Sequence, residues 1–431
     1  MSKKKTKKGK GGVATHTAWL DWLWSKAWPL VAGGGLVVAI IAVMGWVNYS
    51  KQYKEQLRLG EDQLRLGLYP ETKAAYQKAI NLHPLRHVVL LGKFFGEPAD
   101  SAAQQTPDLL GMDKDALWGL KKASAFDSAD PRQIELALRQ LENDNPKDLD
   151  NKTLLGKFHA AQAVQTQSMD FALAEQDYQA VLEQDPHNAE AQFGLGYIRW
   201  LQGRLAESHT YYQQAQESSK YTPSYTINLA GLYIEQVSVH PPGSVGVSPT
   251  EMAAKMAALP GKSGLGSERI PEQKNYVEAL KLLGSFGFNQ DYPIAAFETA
   301  LVFRLQGKLK ESQEWFNTAL MLMDDEKAKA KPDNQIPWQF KTKTALISLS
   351  KPDDKKYYLY LSLAASQFLD GDTANAKKTL VKARGLSDTH PATVKELLND
   401  DLSRLAEERP TLANNIKVFR SELLTAFLIT H

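Results

Sequence analysis

The chain has 431 residues, 51 Lys+Arg against 49 Asp+Glu, 43% hydrophobic residues and no cysteine. That length suits two or three domains or one long repeat array, and a mean hydropathy of −0.38 excludes a polytopic membrane protein. Without thiols there are no disulfides, thiolate zinc sites, iron–sulfur ligands or cysteine nucleophiles, and no marker of redox compartment.

The near-neutral total hides an asymmetry. Lys3, Lys4, Lys5, Lys7, Lys8 and Lys10 put six positive charges into the first ten residues, whereas from Lys51 onward 44 basic residues face 48 acidic ones. Between tail and body, residues 27–50 carry no formal charge and centre on an apolar run from Leu30 to Met44. A helix crossing a bilayer needs about 20 such residues. Trp28 at one end, with Trp46 and Tyr49 at the other, sit where aromatic rings prefer the headgroup region. The run is longer than the apolar core of a cleaved signal peptide, and Gly45-Trp46-Val47-Asn48-Tyr49 offers no convincing cleavage site, so an uncleaved signal anchor is expected. Positive flanks stay in the cytoplasm, which places the body across the membrane, in the periplasm for a bacterium. The lysines then serve as a topology signal that also meets anionic lipid headgroups, and not as a nucleic-acid arm. Upstream, Trp19-Leu20-Asp21-Trp22-Leu23-Trp24 reads as an interfacial segment or the first turns of a long tilted helix.

The body repeats with a period of 34. Tyr53–Arg86 places Leu59-Gly60, Gly67, Tyr69, Tyr76, Ala79 and Pro84 at positions 7, 8, 15, 17, 24, 27 and 32. Leu155–Asn188 has Phe158, Ala174, Tyr178 and Pro186 at positions 4, 20, 24 and 32, and Ala189–Thr222 follows without a gap, with Leu195-Gly196, Gly203, Leu205, Tyr212 and Ala215. Pro293–Glu326 (Gly307, Leu309, Phe316, Ala319) and Tyr357–His390 (Leu363-Ala364, Gly371, Ala376, Ala383) keep the frame. Small residues sit where two antiparallel helices cross, aromatics fill the gap to the next hairpin, and the glycine at position 15 closes the first helix with left-handed backbone angles. Pro84 and Pro186 stop the second helix.

These positions resemble the tetratricopeptide repeat (TPR) family, membrane-anchored bacterial type. The resemblance implies an all-α fold, a TPR-like helical-hairpin superhelix behind a single N-terminal transmembrane helix. Asp115–Asp148 is a degenerate unit with charged residues at positions 7 and 8, and Pro223–Val237 begins a unit that breaks at His240-Pro241-Pro242-Gly243. A Gly/Pro-rich stretch with a short helix near 250–259 follows, and Tyr276–Phe286 is expected to supply the missing second helix. The organisation thus reads as a basic cytoplasmic tail and interfacial segment (1–26), a transmembrane helix (27–50), an N-terminal TPR-like array (51–237), an insertion (238–275) and a C-terminal TPR-like array (276–431). Stretches at 87–114 and 324–356 are expected to be surface loops of the kind that carry specific function.

Chemistry is sparse. Gly261-Lys262-Ser263 lacks the earlier glycine of a phosphate-binding loop, since Met256 holds that place. The nine histidines are scattered, and Pro84 interrupts the pair His83 and His87. Acidic pairs such as Asp353-Asp354 and Asp400-Asp401 read as solvated caps. No catalytic, cofactor or metal residue is assigned, and no enzyme activity is expected. In TPR superhelices the first helix of each unit lines a concave face. The resemblance carries that role to Phe193, Tyr197 and Trp200, to Phe297 and Arg304, and to Tyr358 and Phe368. Such a groove suits an extended peptide or partner helix. Leu57 departs from the Lys/Asn pattern that clamps a C-terminal carboxylate, which argues against a heat-shock co-chaperone. The expected role is a scaffold or adaptor that binds envelope proteins. The layout also fits a structural subunit of a secretion or motility machine, or a platform for an unrecognised enzyme activity. It resembles inner-membrane TPR proteins that assist the translocon, cytochrome c maturation or envelope assembly.

Overall fold

The computed structural model describes residue 44 and residues 47–82, 114–236, 271–342, 345–386 and 391–424. Most of the expected span at 27–50 lies outside the described residues, as do the tail, the 83–113 stretch, the short helix near 250–259 and Pro84. Among the described residues no helix is long and apolar enough to cross a membrane.

The described chain is predominantly helical. Consecutive helices are α1 (47–65), α2 (Tyr69–Asn81), α3 (Lys114–Ser124), α4 (Pro131–Asp144), α5 (Leu149–Gln165), α6 (Ala172–Gln184), α7 (Ala189–Leu201), α8 (Leu205–Ser218) and α9 (Pro223–Gln236). After the insertion come α10 (Pro271–Gly284), α11 (Pro293–Leu305) and α12 (Leu309–Asp324). The antiparallel strands β1 (Trp338–Lys341) and β2 (Leu346–Leu349) follow, then α13 (Pro352–Leu369), α14 (Thr373–Arg384) and α15 (Pro391–Glu408). The chain divides into two compact units, one of residues up to Glu61 with Tyr69–Ala123, the other of Asp62–Leu68 with the chain from Ser124 onward.

In the first unit Tyr76 of α2 lies between two glycines. A Cβ on Gly60 of α1 would fall 2.8 Å from its ring, and one on Gly119 of α3 only 2.2 Å away. The aromatic at position 24 thus fills the crossing of its own hairpin and the start of the next helix. The second unit repeats the device. Tyr178 of α6 lies between Gly156 of α5 (2.8 Å) and Gly194 of α7 (2.3 Å), and Tyr212 of α8 covers Gly196 of α7 at 2.5 Å. The helices approach closely only because these positions have no side chain. Gly203 (φ +77°) and Gly307 (φ +78°) adopt the left-handed backbone that ends α7 and α11, as position 15 requires. Asn188 Oδ1 caps α7 by accepting from Ala191 N at 3.0 Å.

Two expectations are corrected. The frame drawn from Leu155 fits its second helix only. Gly156 and Tyr178 are 22 positions apart, whereas Gly196 and Tyr212 are 16 apart, so the first helix begins at Leu149 and six extra residues enter the unit. They lengthen both α5, which has 17 residues against 13 in α7, and the turn before α6, where Gln167 and Met169 take positive φ without being glycine, a conformation that costs about 1 kcal/mol or more each. The 324–356 stretch is not a surface loop. It forms one-turn helices at Glu326–Lys329 and Pro332–Gln335 and then the β1–β2 hairpin. Trp338, Ile347 and Leu349 of that hairpin are buried. The register pairs Trp338 with Leu349 and Phe340 with Ile347, which puts these four on one face. That face lies against Phe297 (Trp338 at 5.6 Å, Phe340 at 5.8 Å), with Phe340 also 5.5 Å from Tyr358. The alternating strand buries Trp338 and half-buries Phe340 against helices α11 and α13, and full burial of a large apolar side chain contributes about 1.5–3 kcal/mol.

The expected second helix at Tyr276–Phe286 is present as α10, which ends at Gly284 and packs on α9. Tyr276, Ala279 and Leu283 share one core with Ile227, Ala230 and Ile234 of α9. The hairpin thus closes across the insertion.

Candidate functional site

The second unit contains a cavity of about 600 Å3. Its walls come from α5, α7, α9, α11, β1 and α15, with Arg65 at one edge. Phe193, Tyr197 and Trp200 lie at intervals of three and four on α7, so they share one helix face. Each is half-buried and turned to the cavity. Phe193 stacks on Tyr212 at 5.1 Å and Tyr197 packs on Trp200 at 5.8 Å. Trp200 Nε1 donates to a Glu235 carboxyl oxygen at 2.5 Å, joining α7 to α9.

The polar edge is a network. Arg65 donates to Ser224 Oγ at 2.9 Å, lies 3.6 Å from the Asp333 carboxylate and stands over the Tyr225 ring. Lys157 pairs with Glu190 and donates to the Arg65 carbonyl at 2.6 Å, and the Tyr225 hydroxyl also reaches Glu190. Burial alone would raise the Glu190 carboxyl, but Lys157 and Arg65 outweigh it and hold the group below its usual range. Burial raises Asp333 despite Arg65. Glu235 is raised by burial, against the Trp200 hydrogen bond and the more distant charges of Lys341 and Arg404. Glu298 of α11 is pushed well above the carboxylate range by burial, with no compensating group.

The hairpin completes the wall nearest α7. Lys341 Nζ donates to the carbonyls of Trp200 (3.1 Å) and Leu201 (3.0 Å) at the C-terminal end of α7. Burial pushes the Tyr197 hydroxyl up to about 12, and the nearby Gln339 side chain opposes that rise. Sequence reasoning missed this element, although the alternation in Trp338-Gln339-Phe340-Lys341 is a strand signal.

The seven expected partner-binding residues fall in three places. Phe193, Tyr197, Trp200 and Phe297 line the cavity, although Phe297 itself is fully buried beneath the hairpin. Arg304 and Tyr358 are corrected to core residues, with 1% and 0% of their surface exposed. Arg304 lies 3.5 Å from the Asp401 carboxylate and 5.4 Å from the centre of the Phe316 ring, and the Tyr358 hydroxyl also meets Asp401. Burial lowers the Arg304 guanidinium below its ordinary value, against the pull of Asp401. α15 and β1, neither of which belongs to the repeat frame, supply the contacts that bury them. Phe368 packs against Phe419 at 5.5 Å, away from the cavity-lining set.

Among the described residues no group of His, Cys, Asp and Glu is placed to hold a metal ion. The buried His159 faces Asp177 Oδ2 at 2.7 Å and Glu135 Oε1 at 3.7 Å, which ties α4, α5 and α6 together.

Residues 167–223 match the family model described as tetratricopeptide repeat. No curated protein matches the chain in sequence. Solved structures with a similar course include a tetratricopeptide repeat protein from Parabacteroides merdae ATCC 43184, with 14% identity, coverage of 71% of this chain and 98% of that one, and a TM-score of 0.40. Another is a thermophilic TPR protein of Thermus thermophilus, at 15% identity, 60% and 98% coverage and a TM-score of 0.35. Pseudomonas aeruginosa pilF shares 14% identity over 64% of this chain and 91% of that one, with a TM-score of 0.38. The matched segment covers α6–α8, in which Tyr178 and Tyr212 are wedged against Gly156, Gly194 and Gly196. The same wedge recurs at Tyr76 in the first unit, so the hairpin packing of the segment that matches the tetratricopeptide repeat is found again outside it.

Proposed function

We propose that the protein is a membrane-anchored scaffold or adaptor that binds extended segments of protein partners at the bacterial cell envelope. One observation carries the reading: the cavity of about 600 Å3 whose wall presents Phe193, Tyr197 and Trp200 from the first helix of a repeat. Aromatic side chains offer large contact area at small entropic cost, and the carboxylates at the rim give orientation. The uncharged stretch at 27–50 and the six lysines before it support an anchor with the body on the periplasmic side.

The test changes Tyr197 and Trp200 together to alanine in the full chain, followed by crosslinking and mass spectrometry of extracted membranes. Loss of the partner set, with helical content retained by circular dichroism, is expected. An unchanged set refutes binding at the cavity. A single stoichiometric set of partners would favour a subunit of a larger envelope machine over an adaptor with many clients. Recovery of the body in the soluble fraction, with a mature N-terminus near Asn48, would refute the anchor.

A further inference from the structure

We propose that the cavity recognises a cationic side chain, lysine or arginine, within an extended segment of a protein partner, with Glu298 as its counter-charge. The inference deepens the peptide-binding reading above and rests on it.

Glu298 projects from α11 into the cavity wall facing α9. Its Oε1 would lie 2.9 Å from a Cβ built on Gly231, so the carboxyl rests against the bare backbone of α9. The residue is half-buried as a whole, but its Oε2 is sealed from solvent and has no hydrogen-bond partner. The cations that line the cavity are already engaged within the chain. Arg65 holds Asp333, Lys157 holds Glu190, Lys341 caps α7, and Arg404 donates to the Ile234 carbonyl while pairing with Glu408. Glu235 accepts from the neutral Trp200 indole and has no ion pair among the described residues. Asp400 on the same wall also has no ion pair among the described residues, so the wall offers at least three carboxylates without a contacting cation, of which Glu298 has the sealed and unpartnered oxygen.

A carboxylate taken out of water is costly unless it is protonated or paired. Burial already raises Glu298, and an entering ammonium or guanidinium would pair with the carboxyl and restore its charge. The chemistry of the wall selects the rest of the ligand. Methylene stems of lysine and arginine pack along apolar surface while the charge reaches a polar end, and Tyr197 and Trp200 add ring faces that attract cations. A C-terminal carboxylate would meet like charge. A free polyamine would leave the aromatic wall without apolar neighbours.

The experiment selects a randomised heptapeptide library displayed on phage against the full chain in detergent micelles, then measures resynthesised peptides by fluorescence anisotropy. Enrichment of Lys or Arg beside apolar residues is expected. Replacing that cation by norleucine should weaken binding about tenfold or more on the wild type, since hydrogen bonds to charged groups contribute at that level. On Glu298→Gln the same replacement should matter less than about twofold. Glu298→Gln replaces a buried, unpaired carboxyl with a neutral amide of the same shape, so its thermal midpoint should hold or rise, which separates lost recognition from lost folding. Gly231→Ala, which displaces the carboxyl, should likewise blunt the cation preference. Enrichment of apolar peptides without a cation would overturn this inference and leave the groove reading standing. No enrichment at all would overturn both. A norleucine penalty undiminished in Glu298→Gln would remove Glu298 from the role. Spermidine that displaces the peptides with the same Glu298 dependence would overturn the assignment to a protein segment.

Discussion

Gly194 and Tyr178 allow the repeat packing to be tested by a change of sign. Gly194 lies inside α7, and an alanine Cβ there would sit 2.3 Å from Tyr178 Cζ and 2.6 Å from both Cε atoms. The ring cannot simply swing away, because it is 2% exposed and Gly156 lies against its other edge at 2.8 Å. Overpacking of this kind costs about 1–3 kcal/mol. Replacing a helix-interior glycine by alanine gains about 1 kcal/mol of helix propensity. Gly194→Ala alone should therefore range from neutral to a loss of about 2 kcal/mol, the net of those terms. Tyr178→Ala alone should cost about 3–5 kcal/mol. With the ring gone, only the propensity term is left, so adding Gly194→Ala to Tyr178→Ala should stabilise by about 1 kcal/mol. The coupling in the cycle is then about 1–3 kcal/mol, within the range expected of touching residues. Urea unfolding followed by circular dichroism on the four proteins measures it. Equal effects of Gly194→Ala in both backgrounds would show that Tyr178 does not fill the space over α7.

Two further predictions test the hairpin. Lys355 is 2% exposed, its Nζ donates to the Ile336 carbonyl at 2.7 Å, and burial lowers its pKa to about 8. Because the folded protein releases this proton before the unfolded chain does, stability from this group is full above about pH 10.4, falls as the pH drops, and reaches its minimum below about 8. The wild type minus Lys355→Met difference should change by at most about 3 kcal/mol across that window, measured by urea unfolding at stepped pH; a flat difference refutes it. Lys341→Met removes two hydrogen bonds to the end of α7, with an expected cost of about 1–2 kcal/mol. Faster amide exchange at 338–349 in that variant would confirm that Lys341 holds the hairpin to α7, and unchanged exchange would refute it.

Much of the fold was legible because a repeat states its packing locally. Gly60 with Tyr76, Gly196 with Tyr212 and Ala300 with Phe316 are each 16 positions apart in an unbroken hairpin, and the left-handed glycine sits at a fixed place between them. Where six residues entered α5 and the turn after it, the frame slips and the first helix begins earlier than the spacing implies. The candidate site was half legible. The spacing of Phe193, Tyr197 and Trp200 put them on one face of α7, and all three line the cavity. The same reasoning placed Arg304 and Tyr358 on a groove, and they belong to the core.

What the sequence by itself determined is therefore the array: hairpin length, the small residues at crossings, the aromatics between hairpins and the turn glycines, together with the charge asymmetry of the N-terminal region. Only the tertiary structure decided which residues of the repeat frame stay available. Lys341 reaches the end of α7 across 141 positions, and Arg304 meets Asp401 across 97. Helical periodicity tells which side of a helix a residue occupies, but its exposure depends on what distant segment covers that side. Here the cover is β1 and α15, so the residues of α7 stay on the cavity while those of α11 and α13 become core.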